Sequence, residues 1–224
     1  MDRSRAYLPP EVPEEDILLF EKGNMGERAG FGNKLSIIVV DMTRGWTEDE
    51  FPLGNSRFGQ PCVRAIRQLL DVARPIGIPI FYTKVSPWPT PVEGGRWLDK
   101  GTAAEKDSLM LKETAHQFPL LIEPQPGEIT ITKGKPSAFF GTQLESYLNY
   151  YNIDTLIVTG MVTAGCVRAT VTDAFSLNYF VIVPIECVAD RSEISHKINL
   201  FDMDMRYADV MPLEEVVKHL HHYR

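Results

Sequence analysis

The sequence predicts a single-domain, three-layer α/β sandwich built on a parallel sheet of about six strands. Two observations carry this reading. Short runs rich in β-branched residues alternate with stretches of helical periodicity, and the runs are apolar at consecutive positions rather than at every second one. Strands buried on both faces and separated by helices belong to a sheet covered on both sides. Residues 1–34 carry Pro9, Pro10 and Pro13, then Gly23, Gly26, Gly30 and Gly32, without sustained periodicity, and read as an arm preceding a domain over 35–224. Leu35–Val40 is the first strand, ended by Asp41. Val63, Ile66, Leu69, Leu70 and Ala73 mark a helix that Pro75 and Gly77 stop, and Ile78–Thr83 is the second strand. Residues 84–128 form a long proline-rich connection of the kind that walls or covers sites. Glu128–Thr132 is the third strand, ending at Lys133, and Phe140, Leu144, Tyr147, Leu148 and Tyr151 mark a helix. Thr155–Thr159 is the fourth strand, closed by Gly160. A helix through Val167, Val171, Ala174 and Phe175 leads to the fifth strand, Phe180–Pro184. A helix through Ile194, Ile198, Phe201 and Met205, a sixth strand at Ala208–Met211 and a helix through Leu213, Val216, Val217 and Leu220 complete the chain.

The 224 residues include 23 Lys and Arg against 30 Asp and Glu, a net charge of −7, and are 44% hydrophobic. That balance excludes a disordered chain and a basic nucleic-acid binder. An anionic substrate would need a local cation to overcome the mild acidity. The odd number of cysteines, Cys62, Cys166 and Cys187, suits a reducing compartment. The longest apolar runs, such as Ile37–Val40, are too short to span a bilayer, and no basic segment with a following apolar stretch opens the chain. The expectation is a soluble, cytoplasmic protein with neither membrane nor nucleic acid as partner.

In open parallel sheets, ligands bind beyond the carboxyl ends of the strands. Asp41 follows the first strand, Lys133 the third, and Cys166 the turn Gly160–Gly165 after the fourth. Each alone reads equally well as a turn cap, a solvated lysine or an inert core thiol; together they form a nucleophile set. Cys166 at a helix start, beside Lys133, is expected to be held toward the thiolate. Asp41 would take the thiol proton and return it to a leaving nitrogen. Amides of the preceding turn would cradle an oxyanion, each donor contributing about 3 kcal/mol. Acyl transfer from an amide is the reaction this set suits.

The stretches Gly30-Phe-Gly-Asn, Ile37–Met42, Thr132-Lys133 with Ser137–Phe139 and Gly141-Thr142, Ile153–Gly160 and Ala164–Arg168 resemble the isochorismatase-like cysteine hydrolases, and among them the N-carbamoylsarcosine amidases. The resemblance runs from Gly30 to Val210. It implies Cys166 as nucleophile, Asp41 as general base and acid, and Lys133 as the third member. It also implies a cis peptide between Met161 and Val162 that sets the Val162 N–H beside that of Cys166 as an oxyanion hole. The resemblance further implies that Arg191 receives a substrate carboxylate and that the protein is a homo-oligomer, a tetramer by analogy.

Lys135, Trp46 and Trp97 are weaker substrate-contact candidates, with Trp88 a further wall of the mouth, while Arg168 reads as a structural or interface pair. Met161 and Val162 are bulkier than expected beside a nucleophile. Residues 84–115 contain no histidine, and the others are scattered, so no required metal is expected. Neither a dinucleotide fingerprint nor a phosphate loop is present, so no cofactor is expected and an oxidoreductase is disfavoured. The leading expectation is a cysteine amidohydrolase releasing ammonia from a small carboxylate amide such as N-carbamoylsarcosine, with maleamate or ureidoacrylate as alternatives. An inactive binding or assembly protein on the same fold is the competing class.

Overall fold

The computed structural model describes residues 7–85, 92, 95–100 and 112–223. Seven parallel strands form one sheet: β1 Leu35–Val40, β2 Ile80–Val85, β3 Ile129–Lys133, β4 Thr155–Met161, β5 Phe180–Pro184, β6 Val188–Ala189 and β7 Asp209–Met211. Their spatial order is β3-β2-β1-β4-β5-β7, and β6 pairs with the end of β4. The strand beyond the expected six is β6, whose two residues are too few to carry any periodicity.

Central β1 is buried at all six positions, as its unbroken apolar run requires. Leu35, Ile37 and Val39 enter one core with Val63, Ile66, Leu69 and Leu70 of the helix Ser56–Ala73 and with Val216 and Leu220 of the helix Leu213–His222. Ile38 and Val40 enter the other, with Leu148, Val171, Ala174, Leu200 and Met203 from the helices Leu144–Tyr150, Arg168–Ser176 and Glu193–Arg206. These two cores make the three layers, each large side chain contributing about 1.5–3 kcal/mol by leaving water. No helix among the described residues is long and apolar enough to cross a membrane.

Several boundaries differ from expectation, each for a local reason. The Ser56–Ala73 helix starts well before Val63, because the Asn55 side chain accepts the Phe58 N–H and caps it. β2 runs to Val85, which puts Thr83 inside the strand beside β1. The expected helix from Phe140 starts only at Leu144. Gly141 lies at φ 70° in the turn before it, and Phe140 is exposed. β4 continues through Gly160 to Met161.

The arm contains a helix, Glu14–Lys22, which periodicity did not reveal because none of its residues is fully buried. Charge placement explains it: Glu14, Glu15 and Asp16 sit at its positive end and Lys22 at its negative end, after Pro13. The arm lies on its own domain, with Phe20 edge-on to Phe201 at 5.3 Å. It is tied down by two buried carboxylates. Asp204 accepts the N–H groups of Tyr7 and Val210, both at 2.8 Å, and Asp209 accepts those of Ala29 (3.1 Å) and Gly30 (2.7 Å).

Burial pushes Asp204 up to about 6 against the pull of these N–H groups and of Arg28, and Asp209 adds to the rise. Folding therefore favours the protonated form. This group's contribution to stability should grow as pH falls from about 7 toward 4, by up to about 3 kcal/mol, opposite to an ordinary paired carboxylate. Thermal melts of wild type and Asp204→Asn across that range check this: the difference should move in the wild type's favour as pH falls, and a constant difference would refute it.

Candidate active site

Three strands deliver three side chains to one point at the carboxyl rim. Ile131 of β3 belongs to the second core, and Lys133, two residues on, rises on the same face. Cys166, also in that core, follows β4 in a helical turn, Thr163–Val167, that runs into the Arg168–Ser176 helix. Asp41 ends β1 in a left-handed conformation at φ 52°, uncommon for a residue with a side chain. Its backbone N–H donates to the Thr83 carbonyl (3.0 Å) and Oγ1 (3.2 Å), while Thr83 Oγ1 donates to Asp41 Oδ1 at 2.8 Å.

The Lys133 ammonium joins the set. Its Nζ lies 2.7 Å from Asp41 Oδ2 and donates to Cys166 Sγ at 3.4 Å and to the Lys135 carbonyl at 2.9 Å. Asp41 is 1% exposed, Lys133 2% and Cys166 7%, so Cys166 is the residue of the three with most access to solvent. Burial disfavours the ammonium, but Asp41 and Cys166 outweigh it and hold Lys133 above its ordinary pKa, protonated.

The thiol behaves otherwise than the sequence reading expected. Burial pushes Cys166 up most, and the Asp41 carboxylate pushes it further than Lys133 pulls it down. Burial first, and the neighbouring anion second, favour the neutral thiol over a thiolate. Cys62 and Cys187 are free, buried thiols, both raised by burial.

The turn carrying Cys166 is fixed from both sides. Gly160 pairs with Val40 at φ 114°, and a Cβ there would sit 2.0 Å from the Val40 carbonyl oxygen, so only glycine allows β4 to pass β1 this closely. The Met161–Val162 peptide is cis, as the resemblance implied. The N–H groups of Gly165 and Val167 both return to the Val162 carbonyl, at 2.9 and 3.2 Å. On the other side Thr170 Oγ1 donates to the Cys166 carbonyl at 2.7 Å and accepts from the Ala138 N–H at 3.0 Å, joining the helix to the loop after Lys133.

The remaining candidates divide. Arg191 is exposed; its Nε donates to the Leu53 carbonyl at 3.0 Å, and its guanidinium lies 5.0 Å from the Trp46 ring centroid. Trp46 thus meets Arg191 directly, beside the turn that follows Asp41. Lys135 meets the trio through its carbonyl, and its ammonium points to Gly95. Trp97 packs against the second core. Trp88 lies outside the described residues. Arg168 is a structural pair, donating to Asn199 Oδ1 at 2.6 Å with Asp202 at 3.6 Å.

Sequence reasoning missed Thr83, Asp190 and His196. Asp190 Oδ2 accepts the Ala164 N–H at 2.9 Å, and His196 Nδ1 lies 2.8 Å from Thr163 Oγ1. Burial holds the imidazole below its ordinary pKa, hence neutral at pH 7. A threonine at the end of a buried strand was a readable signal for Thr83; Asp190 and His196 gave none, since their partners lie 26 and 33 residues away. Among the described residues, no three His, Cys, Asp or Glu side chains are grouped to hold a metal ion.

A parallel three-layer sandwich with an aspartate, a lysine and a cysteine gathered at its carboxyl rim is the class of protein defined here. Residues 36–215 match the isochorismatase domain model. The chain is 33% identical over 210 residues to maleamate amidohydrolase of Pseudomonas putida, covering 90% of this chain and 93% of that protein. It is 32% identical over 223 residues to N-carbamoylsarcosine amidase of an Arthrobacter species, covering 96% and 82%. The crystal structure of N-carbamoylsarcosine amidase from Thermoplasma acidophilum superposes with TM-score 0.68 at 25% identity, covering 81% of this chain and 97% of that one. The chain belongs to the isochorismatase family.

Proposed function

We propose that the protein is a cysteine-dependent amidohydrolase that cleaves the terminal C–N bond of a small amide bearing a carboxylate. The observation that supports this most is the convergence of Asp41 Oδ2 and Cys166 Sγ on one Lys133 ammonium, at 2.7 and 3.4 Å. As Sγ attacks the amide carbon, Asp41 takes the thiol proton. A neutral resting thiol makes that base indispensable, because deprotonation and attack are coupled. Lys133 stays charged and steadies first the carboxylate and then the developing sulfur anion.

The oxyanion falls to the N–H groups of Val162 and Cys166, the neighbouring Gly165 and Val167 amides being committed to the Val162 carbonyl. Asp41 returns the proton to the nitrogen, and ammonia leaves a thioester-type intermediate. Water, activated by the same carboxylate, then releases the acid and restores the thiol. With an N-carbamoyl amino acid the acid is a carbamate, which breaks down to carbon dioxide and the amine.

Arg191 supplies the cation that the acidic chain needs for an anionic substrate, its orientation fixed by Leu53 and Trp46. The relatives' named substrates, maleamate and N-carbamoylsarcosine, both carry a carboxylate, which favours this reading. Ammonia release from a panel of N-carbamoylsarcosine, maleamate and ureidoacrylate tests it. Turnover of at least one is expected, and silence from a folded, reduced protein on all three would favour the binding-protein class. Arg191→Ala should raise KM about 10- to 100-fold for the carboxylate substrate and leave its neutral amide analogue nearly unchanged. Equal losses on both would remove Arg191 from carboxylate binding.

A further inference from the structure

The strap Val188–Ser192 runs beside the end of β4, where Val188 pairs with Gly160 and Ala189 with Met161. Asp190 leaves this strap with its side chain turned inward, 7% exposed. One carboxylate then serves two segments. Oδ2 accepts the Ala164 N–H at 2.9 Å, two residues before Cys166, and Oδ1 accepts the Arg191 N–H at 2.8 Å and the Ser192 N–H at 3.5 Å. A buried carboxylate that takes backbone N–H groups from both sides fixes their separation, because each acceptor oxygen lost leaves a part-buried donor unmatched.

The same strap holds the turn a second time. Ser192 caps the Glu193–Arg206 helix by accepting the Ser195 N–H at 3.2 Å, and His196 in that helix's first turn meets Thr163 Oγ1. Thr163 and Ala164, two consecutive residues of the turn, are therefore both gripped from the segment that bears Arg191.

We propose that Asp190 is a positioning residue for the amide hydrolysis assigned above, and the inference rests on that reading. It locks the oxyanion turn to the Arg191 strap. Asp190 thereby helps to set the distance from the bound carboxylate to the attacked carbon, so substrates of one length bring their carbonyl to Cys166. Asp190 touches no substrate and acts through Ala164 and Arg191.

The test compares Asp190→Asn with Arg191→Ala on a carboxylate amide and its neutral analogue, with rates normalised to the folded fraction by circular dichroism. Asparagine keeps one acceptor oxygen and turns an NH2 group toward the other N–H. It is expected to lower kcat about 10- to 100-fold on both substrates, since a displaced oxyanion donor slows every amide, and to raise KM only for the carboxylate. Arg191→Ala should show the KM effect alone. A kcat within twofold of wild type for Asp190→Asn, or a loss confined to KM, overturns the proposal while leaving the amidase reading intact. Absence of wild-type turnover overturns that reading instead. Should Asp190→Asn fail to fold, Asp190→Glu carries the measurement: it keeps both oxygens displaced by one methylene, and a kcat more than about twofold below wild type on both substrates is expected, against a kcat within twofold that would refute the lock.

Discussion

Cys166→Ser should abolish turnover, by at least about 10⁴-fold in kcat, with the fold and substrate binding retained. The sulfur sits between a carboxylate that can take its proton and an ammonium that can steady the resulting anion. A hydroxyl fits the same space but is far less acidic and a poorer nucleophile beside a carboxylate proposed as the base. The side chain is small and nearly buried, so the loss is chemical and the melting temperature should change little. Stopped-time ammonia assays with calorimetric binding of the intact substrate check both halves. Retained activity would take Cys166 out of the nucleophile's role, and lost binding would mean that the substitution had disturbed the pocket.

Asp41→Asn should lower kcat about 10³- to 10⁴-fold and, at the same time, make Cys166 more acidic. The two effects oppose one another in any scheme in which Asp41 merely shapes the site. Removing the anion that raises the thiol leaves Lys133 as its dominant neighbour, so the thiolate gains while turnover is lost. Alkylation by iodoacetamide against pH, read at the Cys166 peptide by mass spectrometry to separate it from Cys62 and Cys187, should give a midpoint shifted down from wild type. An unshifted or raised midpoint would show that Asp41 is not the charge that keeps the sulfur protonated.

How much of this was readable beforehand depends on the range of each interaction. β1 and β5 were legible to the residue because an unbroken β-branched run has one stable home, between two helical layers. Asp41, Lys133 and Cys166 were legible as positions, since each ends or follows a strand. What the sequence could not express was their mutual effect. The helix end and Lys133 argued for a thiolate, and burial of the sulfur, together with Asp41 placed beside it from 125 residues away along the chain, reversed the sign. Asp190 was passed over for a similar reason. An aspartate next to an arginine looks like a local ion pair, whereas here it reaches across to Ala164. β6 and the Glu14–Lys22 helix escaped because two residues carry no period and a helix without a buried stripe shows none.

The lysine of the trio hangs from β3, an edge strand among those described, joined to the rest of the sheet only through β2. Aspartate and cysteine, by contrast, issue from the two innermost strands. In the proposed mechanism chemistry is thus tethered to a margin of the sheet, and fraying there would silence the molecule while its interior stayed intact. Loss of catalysis would then precede loss of shape under denaturant, which makes the protein's own reaction a gauge of how well that margin is sewn down.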